Sequence, residues 1–428
     1  MIIDASNYLH LIPKQNLKDL DFITSKITET GHSAYIIGGA VRDLLLQKIP
    51  NEYDLTTSLK PEEIKLIFKR VIETGIQHGT VTIMIGEEAY EITTFRKDID
   101  YTDGRRPDKI EFGNSLEEDM KRRDFTMNAI ALDLNKKIFI DENSGIQDIQ
   151  DKIIRTIGKA EARFGEDGLR PIRAIRFHSK LNFSIESETY RAIFKTRDVT
   201  KKISKERFHD ELNKILLSSN PKSGITELLT NSIFALFTTK DLVLSNTSVE
   251  IGNLNELSSK LLGVRLAYLL ILLIGKDKTD LEIYDFLFEL KYSNANIQDA
   301  CFFFKIFQVE NLIFHDKIIH RKFLSSLINF TKARANPIYL ECIQSILTLQ
   351  FNTEDVIKFI FESETILQDK NIPLILKDLA LDGNQLMIEF PKLEKKLYGA
   401  CLKDMLEFVF KFPEKNNRID LIEFLKLK

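Results

Sequence analysis

The stretch Tyr35-Ile-Ile-Gly-Gly-Ala-Val-Arg-Asp43, followed shortly by Asn51-Glu-Tyr-Asp-Leu-Thr-Thr57, decides how this chain is read. A strand over Ala34 to Ile37 runs into a diglycine and then a helix from Val41 to Gln47. Such a turn leaves backbone N–H groups free, and glycine lets that backbone approach an anion, so phosphate is the natural ligand. Arg42, one helical turn in, adds charge-assisted donors. Glu52 and Asp54 lie two apart on an extended stretch, so both carboxylates project from one face. Such a pair suits Mg²⁺, which takes few carboxylates plus phosphate oxygens; two ions support both the attacking and the leaving oxygen of an in-line displacement. A diglycine after a strand is commonly only a tight turn, and an acidic pair commonly a solvated strand face. The two together, in this order, with Glu91 as a third carboxylate on a strand of the same region, point to a phosphate-handling site.

Outward from this stretch, residues 17 to 140 alternate between helical and extended patterns. A helix over Leu17 to Thr30 stops at Gly31, and Pro61 opens another where its missing N–H matters least. Thr80 to Ile85 and Ala89 to Phe95 alternate with period two around Gly86-Glu87, which predicts a hairpin. Ser115-Leu-Glu-Glu118 forms a capping box at a helix start, and Leu132 to Leu134 with Ile138 to Ile140 predicts a second hairpin. After about Gly145 strand signals fade and apolar residues recur at spacings of three and four. The fold class expected is α+β: an N-terminal head with a mixed sheet, followed by an all-α neck, body and tail. The divisions fall at 1–145, 146–215, 216–340 and 341–428.

At 428 residues the chain has room for two to four domains, and 43% hydrophobic with 29% charged residues excludes a collagenous or wholly disordered chain. The formal charge of −3 argues, as an average, against a nucleic-acid partner. That average hides residues 152–214, where 16 Lys and Arg face 9 Asp and Glu, an excess of +7 beside the phosphate-handling segments. Cys301, Cys342 and Cys401 match neither a disulfide frame nor a zinc site. The N-terminal residues carry no leader pattern and the apolar run Leu266 to Ile274 is too short to span a bilayer, so a cytoplasmic location without membrane contact is expected. Phe302, Phe303, Phe304 and Phe307 have core spacing. His209-Asp210 and His315-Asp316 resemble fragments of an HD phosphohydrolase site but lack its further ligands.

Taken in order, GGAVRD, EYDLTT, EITTFR, DGRRPD, RRDFTMNAIA, FGEDGLRPIRAIRF and ISKERFHDELNKIL resemble the class II tRNA nucleotidyltransferases. These are the CCA-adding enzymes, relatives of bacterial poly(A) polymerases within the polymerase β superfamily. The resemblance spans about residues 30 to 217. It implies a polymerase β-like head (1–145) that is catalytic, a neck (146–215) that selects the base, a body (216–340), and a tail (341–428) that binds tRNA. It implies that Glu52 and Asp54 hold Mg²⁺ and that Glu91 is the third catalytic carboxylate. Gly38, Gly39, Arg42, Arg123, Asp124, Asn128, Asp167, Arg170, Arg173 and Arg176 match nucleotide-binding positions.

The activity implied is template-independent addition of CCA to a tRNA 3′ end from CTP and ATP, with no obligate protein partner. A-only addition, polyadenylation and an inactive RNA-binding relative are the alternatives; a full-length loop over Arg96 to Leu116 disfavours CC-only addition. Asp167 and Arg170, three apart, are expected on one helix face, where acceptor and donor can meet the edge of a base. The helix is expected to begin near Asp167 or Gly168. Arg170, Arg173 and Arg176 extend it as a basic stripe. Two positions depart from the family pattern: Glu52 stands where Asp is usual, and Pro171 follows the selecting arginine.

Overall fold

A computed structural model describes residues 1–99, 109–113, 115–242, 248–310 and 316–428. Asp103 to Pro107, at the centre of the expected loop, and His315 lie outside the described residues. The chain divides into two compact units, residues 1–241 with 286–292, and 242–285 with 293–428.

The first unit opens with β1 (Ile2–Asp4), α1 (Lys14–Thr28), β2 (Ala34–Ile37), α2 (Gly39–Leu45), β3 (Asp54–Thr57) and α3 (Pro61–Ile67). It continues through β4 (Val71–Gly75), β5 (Thr80–Ile85), β6 (Glu88–Thr94), β7 (Arg96–Ile99), β8 (Lys109–Phe112) and α4 (Leu116–Lys121). Next come β9 (Ile130–Asp133), β10 (Ile138–Asp141), α5 (Gly145–Gln150), β11 (Ile153–Ile154), α6 (Ala160–Glu166) and α7 (Arg170–Leu181). The remainder is β12 (Ser184–Ile185), α8 (Ser187–Lys195), α9 (Arg197–Thr200), α10 (Lys205–Leu216) and α11 (Pro221–Thr230).

Eight strands form one sheet in the order β1-β10-β9-β2-β3-β6-β5-β4. It is mixed as expected: β3 and β6 run parallel while the other neighbours are antiparallel. The register matters chemically, because Asp54 is the partner of Ile37 on one side and of Glu91 on the other. Register partners project to the same face, so Asp54 and Glu91 stand side by side. The strands carrying them are anchored by side chains without solvent exposure: Ile36, Ile37 and Ile92, with Leu55 at 1%. Full burial of each such side chain stabilises by about 1.5–3 kcal/mol.

Helix follows helix after Gly145, with one correction. β11 and β12 pair in parallel over two residues each, a contact too short to leave a period-two signal. The second unit contains no strand among its described residues. Its helix Leu262–Ile274 is buried on nearly all sides and packs on Asn294–Phe307. There Phe303, Phe304 and Phe307 are core, and Phe302 stacks on Phe330 with centroids 4.3 Å apart. The division at 340 falls inside the continuous helix Pro337–Thr348, so no structural break exists there. No helix among the described residues is long and apolar enough to cross a membrane.

Candidate active site

The strand–turn–helix that opened the sequence reading forms one wall of a groove of about 820 Å³ in the first unit. Gly38 adopts φ +79° and ψ −133°, which a residue with a Cβ avoids. A Cβ there would lie 3.6 Å from Nη1 of Arg123 and 3.7 Å from Oδ2 of Asp54, so this turn passes close between a guanidinium and a carboxylate. Gly38, Gly39, Arg42, Glu52, Asp54, Arg123, Asp124, Asn128, Arg173 and Arg176 all line the groove. Ten of the thirteen expected positions are therefore brought together.

Glu52 and Asp54 are solvent-exposed on the groove wall. Nearby protein displaces water from Asp54 and raises its pKa; Arg123 offsets part of this and Glu52 adds to it. Glu91 is raised by the same displacement, then by Asp54 and Glu52. None of the three carboxylates has an ion-pair partner among the described residues. Hard carboxylate oxygens with uncompensated charge fit a divalent cation. Among the described residues no three His, Cys, Asp or Glu side chains converge as a preformed cage. That is compatible with Mg²⁺, which binds through one or two carboxylates plus phosphate oxygens.

A second carboxylate in the groove has the opposite surroundings. Asp124 is 9% exposed and accepts hydrogen bonds from the Phe125 N–H (2.8 Å), the Asn128 amide (3.2 Å) and Nε of Arg173 (2.8 Å). Burial alone would raise its pKa, but Arg173 and Asn128 outweigh it and hold Asp124 at about 2. Asn128 in turn accepts from Arg42 at 2.8 Å, and Arg42 also donates to Asp43. The guanidiniums of Arg42, Arg173 and Arg176 surround the ring of Phe177, with Arg176 nearest at 4.0 Å from the centroid. Arg176 also meets Glu211 of α10 at 2.6 Å. Arg122 and Arg123 share the fully buried Asp119.

Three expected site residues lie off the groove lining. Glu91 stands beside Asp54 on the neighbouring strand β6 but outside the groove lining. Asp167 and Arg170 do not share a helix face, which corrects the sequence reading: α6 ends at Glu166, Asp167 is extended, and α7 begins only at Arg170. The reason is Gly168, where a Cβ would sit 2.5 Å from the Val199 carbonyl oxygen; this close approach to a neighbouring backbone replaces a helical turn. Pro171 lies in the first turn, where it is tolerated. Asp167 accepts from the Leu169 N–H and from Arg207, at 3.0 and 3.2 Å. Arg170 donates to Glu166 and to the carbonyl of Arg122.

The groove also contains residues that sequence reasoning missed: Lys48, Phe177, Lys180, Lys214 and the segment Leu217 to Ser219. Lys180 continues the stripe of Arg173 and Arg176 at helical spacing, a signal that was available. Nine of the cations of 152–214 pair with acids, but of those acids only Asp124, Asp148 and Glu289 lie outside the segment, so more than half of its excess remains. His209 is structural: its ring contacts the Leu290 carbonyl and stacks on Tyr292.

Comparison with known proteins gives the same picture. Residues 34–155 match the poly A polymerase head domain, and residues 182–238 match a domain described as the probable RNA and SrmB-binding site of polymerase A. A CCA-adding enzyme of Ligilactobacillus salivarius is 48% identical over 223 residues, 52% of this chain and 55% of that protein. Another from Streptococcus pyogenes serotype M3 is 45% identical over 221 residues, 52% of this chain and 54% of that protein. The matched stretch thus spans about half the length of these curated relatives. The crystal structure of the Bacillus stearothermophilus CCA-adding enzyme in complex with CTP superposes with a TM-score of 0.77 at 26% identity. It covers 93% of this chain and 94% of its own. Head motifs, sheet topology and superposition thus agree: the chain carries the poly A polymerase head domain over residues 34–155 and the associated RNA-binding domain over residues 182–238, and it is similar to CCA-adding enzymes.

Proposed function

We propose that this chain is a template-independent tRNA nucleotidyltransferase that adds CCA to the tRNA 3′ end from CTP and ATP. The observation that carries the reading is the meeting, on one groove wall, of the Gly38-Gly39 turn, Arg123 and the exposed pair Glu52 and Asp54. In the reaction the 3′-hydroxyl oxygen of the RNA bonds to the α-phosphorus, the bond to the bridging oxygen breaks, and pyrophosphate leaves. Mg²⁺ held by Glu52 and Asp54 would supply charge neutralisation around the phosphate. Glu91, its pKa raised, is positioned beside Asp54 to accept the proton of the attacking hydroxyl.

The Gly38-Gly39 backbone and Arg123 orient the phosphates, while Asp124 and Asn128, fixed by Arg173 and Arg42, present a rigid polar edge to the ribose. Base choice is assigned to Asp167 and Arg170, oriented by Arg207 and Glu166, with Arg176 supporting Phe177. A Glu in the first metal position keeps the charge on a longer arm, so activity is retained. A cytoplasmic location and no obligate protein partner go with this activity. The test is incubation of the purified protein with Mg²⁺, a tRNA lacking its CCA end and each labelled nucleoside triphosphate. Incorporation of C and then A is expected. Incorporation of A alone would move the protein to A-addition, and no incorporation with any divalent metal would defeat the proposal.

A further inference from the structure

The cations of the groove are not equivalent. Arg42 is held by Asp43, while Arg176 and Lys214 are both held by Glu211. Lys48, just beyond α2, and Lys180, in the last turn of α7, line the same groove, are exposed, and have no ion-pair partner among the described residues. The groove's charges therefore fall into two electrostatic neighbourhoods. Asp54 senses Arg123 and Glu52, whereas Lys180 senses Arg42, Asp43, Arg176 and Lys48. Partial burial and then Arg42, with Arg176 and Lys48, lower the Lys180 pKa; Asp43 opposes them. Two uncompensated ammonium groups beside two guanidiniums form a locus that an anion of more than one charge would relieve.

We propose that Lys48 and Lys180 clasp the terminal phosphates of the incoming nucleotide and the pyrophosphate it leaves. The inference rests on the nucleotidyl-transfer reading and assigns the tail of that substrate. Two features favour a polyphosphate over the backbone of the RNA. Adjacent phosphoryl groups bring at least two charges to the two lysines, whereas a phosphodiester brings one. The cluster is also continuous, through Arg42, with the Gly38-Gly39 turn that orients the phosphates in that reading.

The test is calorimetric binding of ATP, AMP and inorganic pyrophosphate, with Mg²⁺, to wild type, Lys48→Ala, Lys180→Ala and Lys180→Arg. Filter binding of a tRNA lacking its CCA end runs in parallel. Both lysines are exposed, so the variants are expected to melt with the wild type. Each alanine variant should weaken ATP and pyrophosphate by about tenfold while AMP and tRNA binding stay unchanged, and Lys180→Arg should recover most of the ATP affinity. Loss of tRNA affinity with pyrophosphate unaffected would assign the lysines to the RNA backbone and overturn the clasp. Alanine variants that bind every ligand like the wild type would also overturn it, leaving the wider reading intact. A wild-type protein that binds neither ATP nor pyrophosphate would instead remove the nucleotidyl-transfer reading itself.

Discussion

Asp54 and Asp124 line the same groove, and their surroundings drive them in opposite directions. Asp124 has its oxygens filled by a guanidinium, an amide and a backbone N–H, and sits far below the usual carboxylate range. Asp54 is next to Glu52 and Glu91, has only a partial offset from Arg123, and is raised. The first carboxylate is an anchor that ties α7 to the segment after α4. The second belongs to a group whose charge this chain leaves uncompensated, and a site of that kind is completed from outside by a cation and a phosphate.

The contrast can be broken most forcefully at the acidic group. Asp54→Ala or Glu52→Ala should lower nucleotide incorporation by about three orders of magnitude or more, with tRNA binding retained in a filter assay. Glu52→Asp, which keeps the charge, should recover much of the loss. Wild-type incorporation by either alanine variant would remove the metal assignment. At the anchor, Arg173→Ala leaves Asp124 buried without its cation and should destabilise the fold by about 3 kcal/mol in urea unfolding. A loss under about 0.5 kcal/mol would reduce the pair to a surface contact.

The same contrast has a pH dependence with a defined sign. Asp124 titrates at about 2 in the folded protein against a reference of 3.8, so the unfolded chain binds more protons between those values. Its contribution, on the order of 2 kcal/mol, is fully present above about pH 4 and is lost as pH falls toward 2. Asp124→Asn should flatten that acid limb; an unchanged limb would show that the stability resides elsewhere. Asp54 works the other way. Its folded pKa is raised, so ionisation above the unfolded value destabilises the fold. Metal-free Asp54→Asn should therefore be more stable than wild type in urea unfolding, and a loss of stability would contradict the repulsion.

Much of this was legible in the sequence because the decisive residues are close along the chain. The strand Ala34–Ile37 and the diglycine turn follow from local geometry and form as expected, while Glu52 lies two residues before a strand that begins only at Asp54, and both still line the groove. What escaped depends on approaches between distant segments. Lys48 and Lys214 reach the groove from elements that share no period with it. Arg207 meets Asp167 across forty residues of chain, and the break between α6 and α7 is set by the backbone at Val199, which no pattern at Gly168 reports. β4 was missed because its middle residues are exposed at the edge of the sheet and carry no alternation.

The most direct measurement is Mn²⁺ binding, followed by the loss of free-ion electron paramagnetic resonance signal, in wild type and in Asp54→Asn. Mn²⁺ takes the oxygen ligands that Mg²⁺ takes. If Glu52 and Asp54 hold the metal, the wild type binds Mn²⁺ and the variant binds it about tenfold more weakly or worse. Equal affinity in the two proteins would contradict the assignment of this groove as the metal-bearing site.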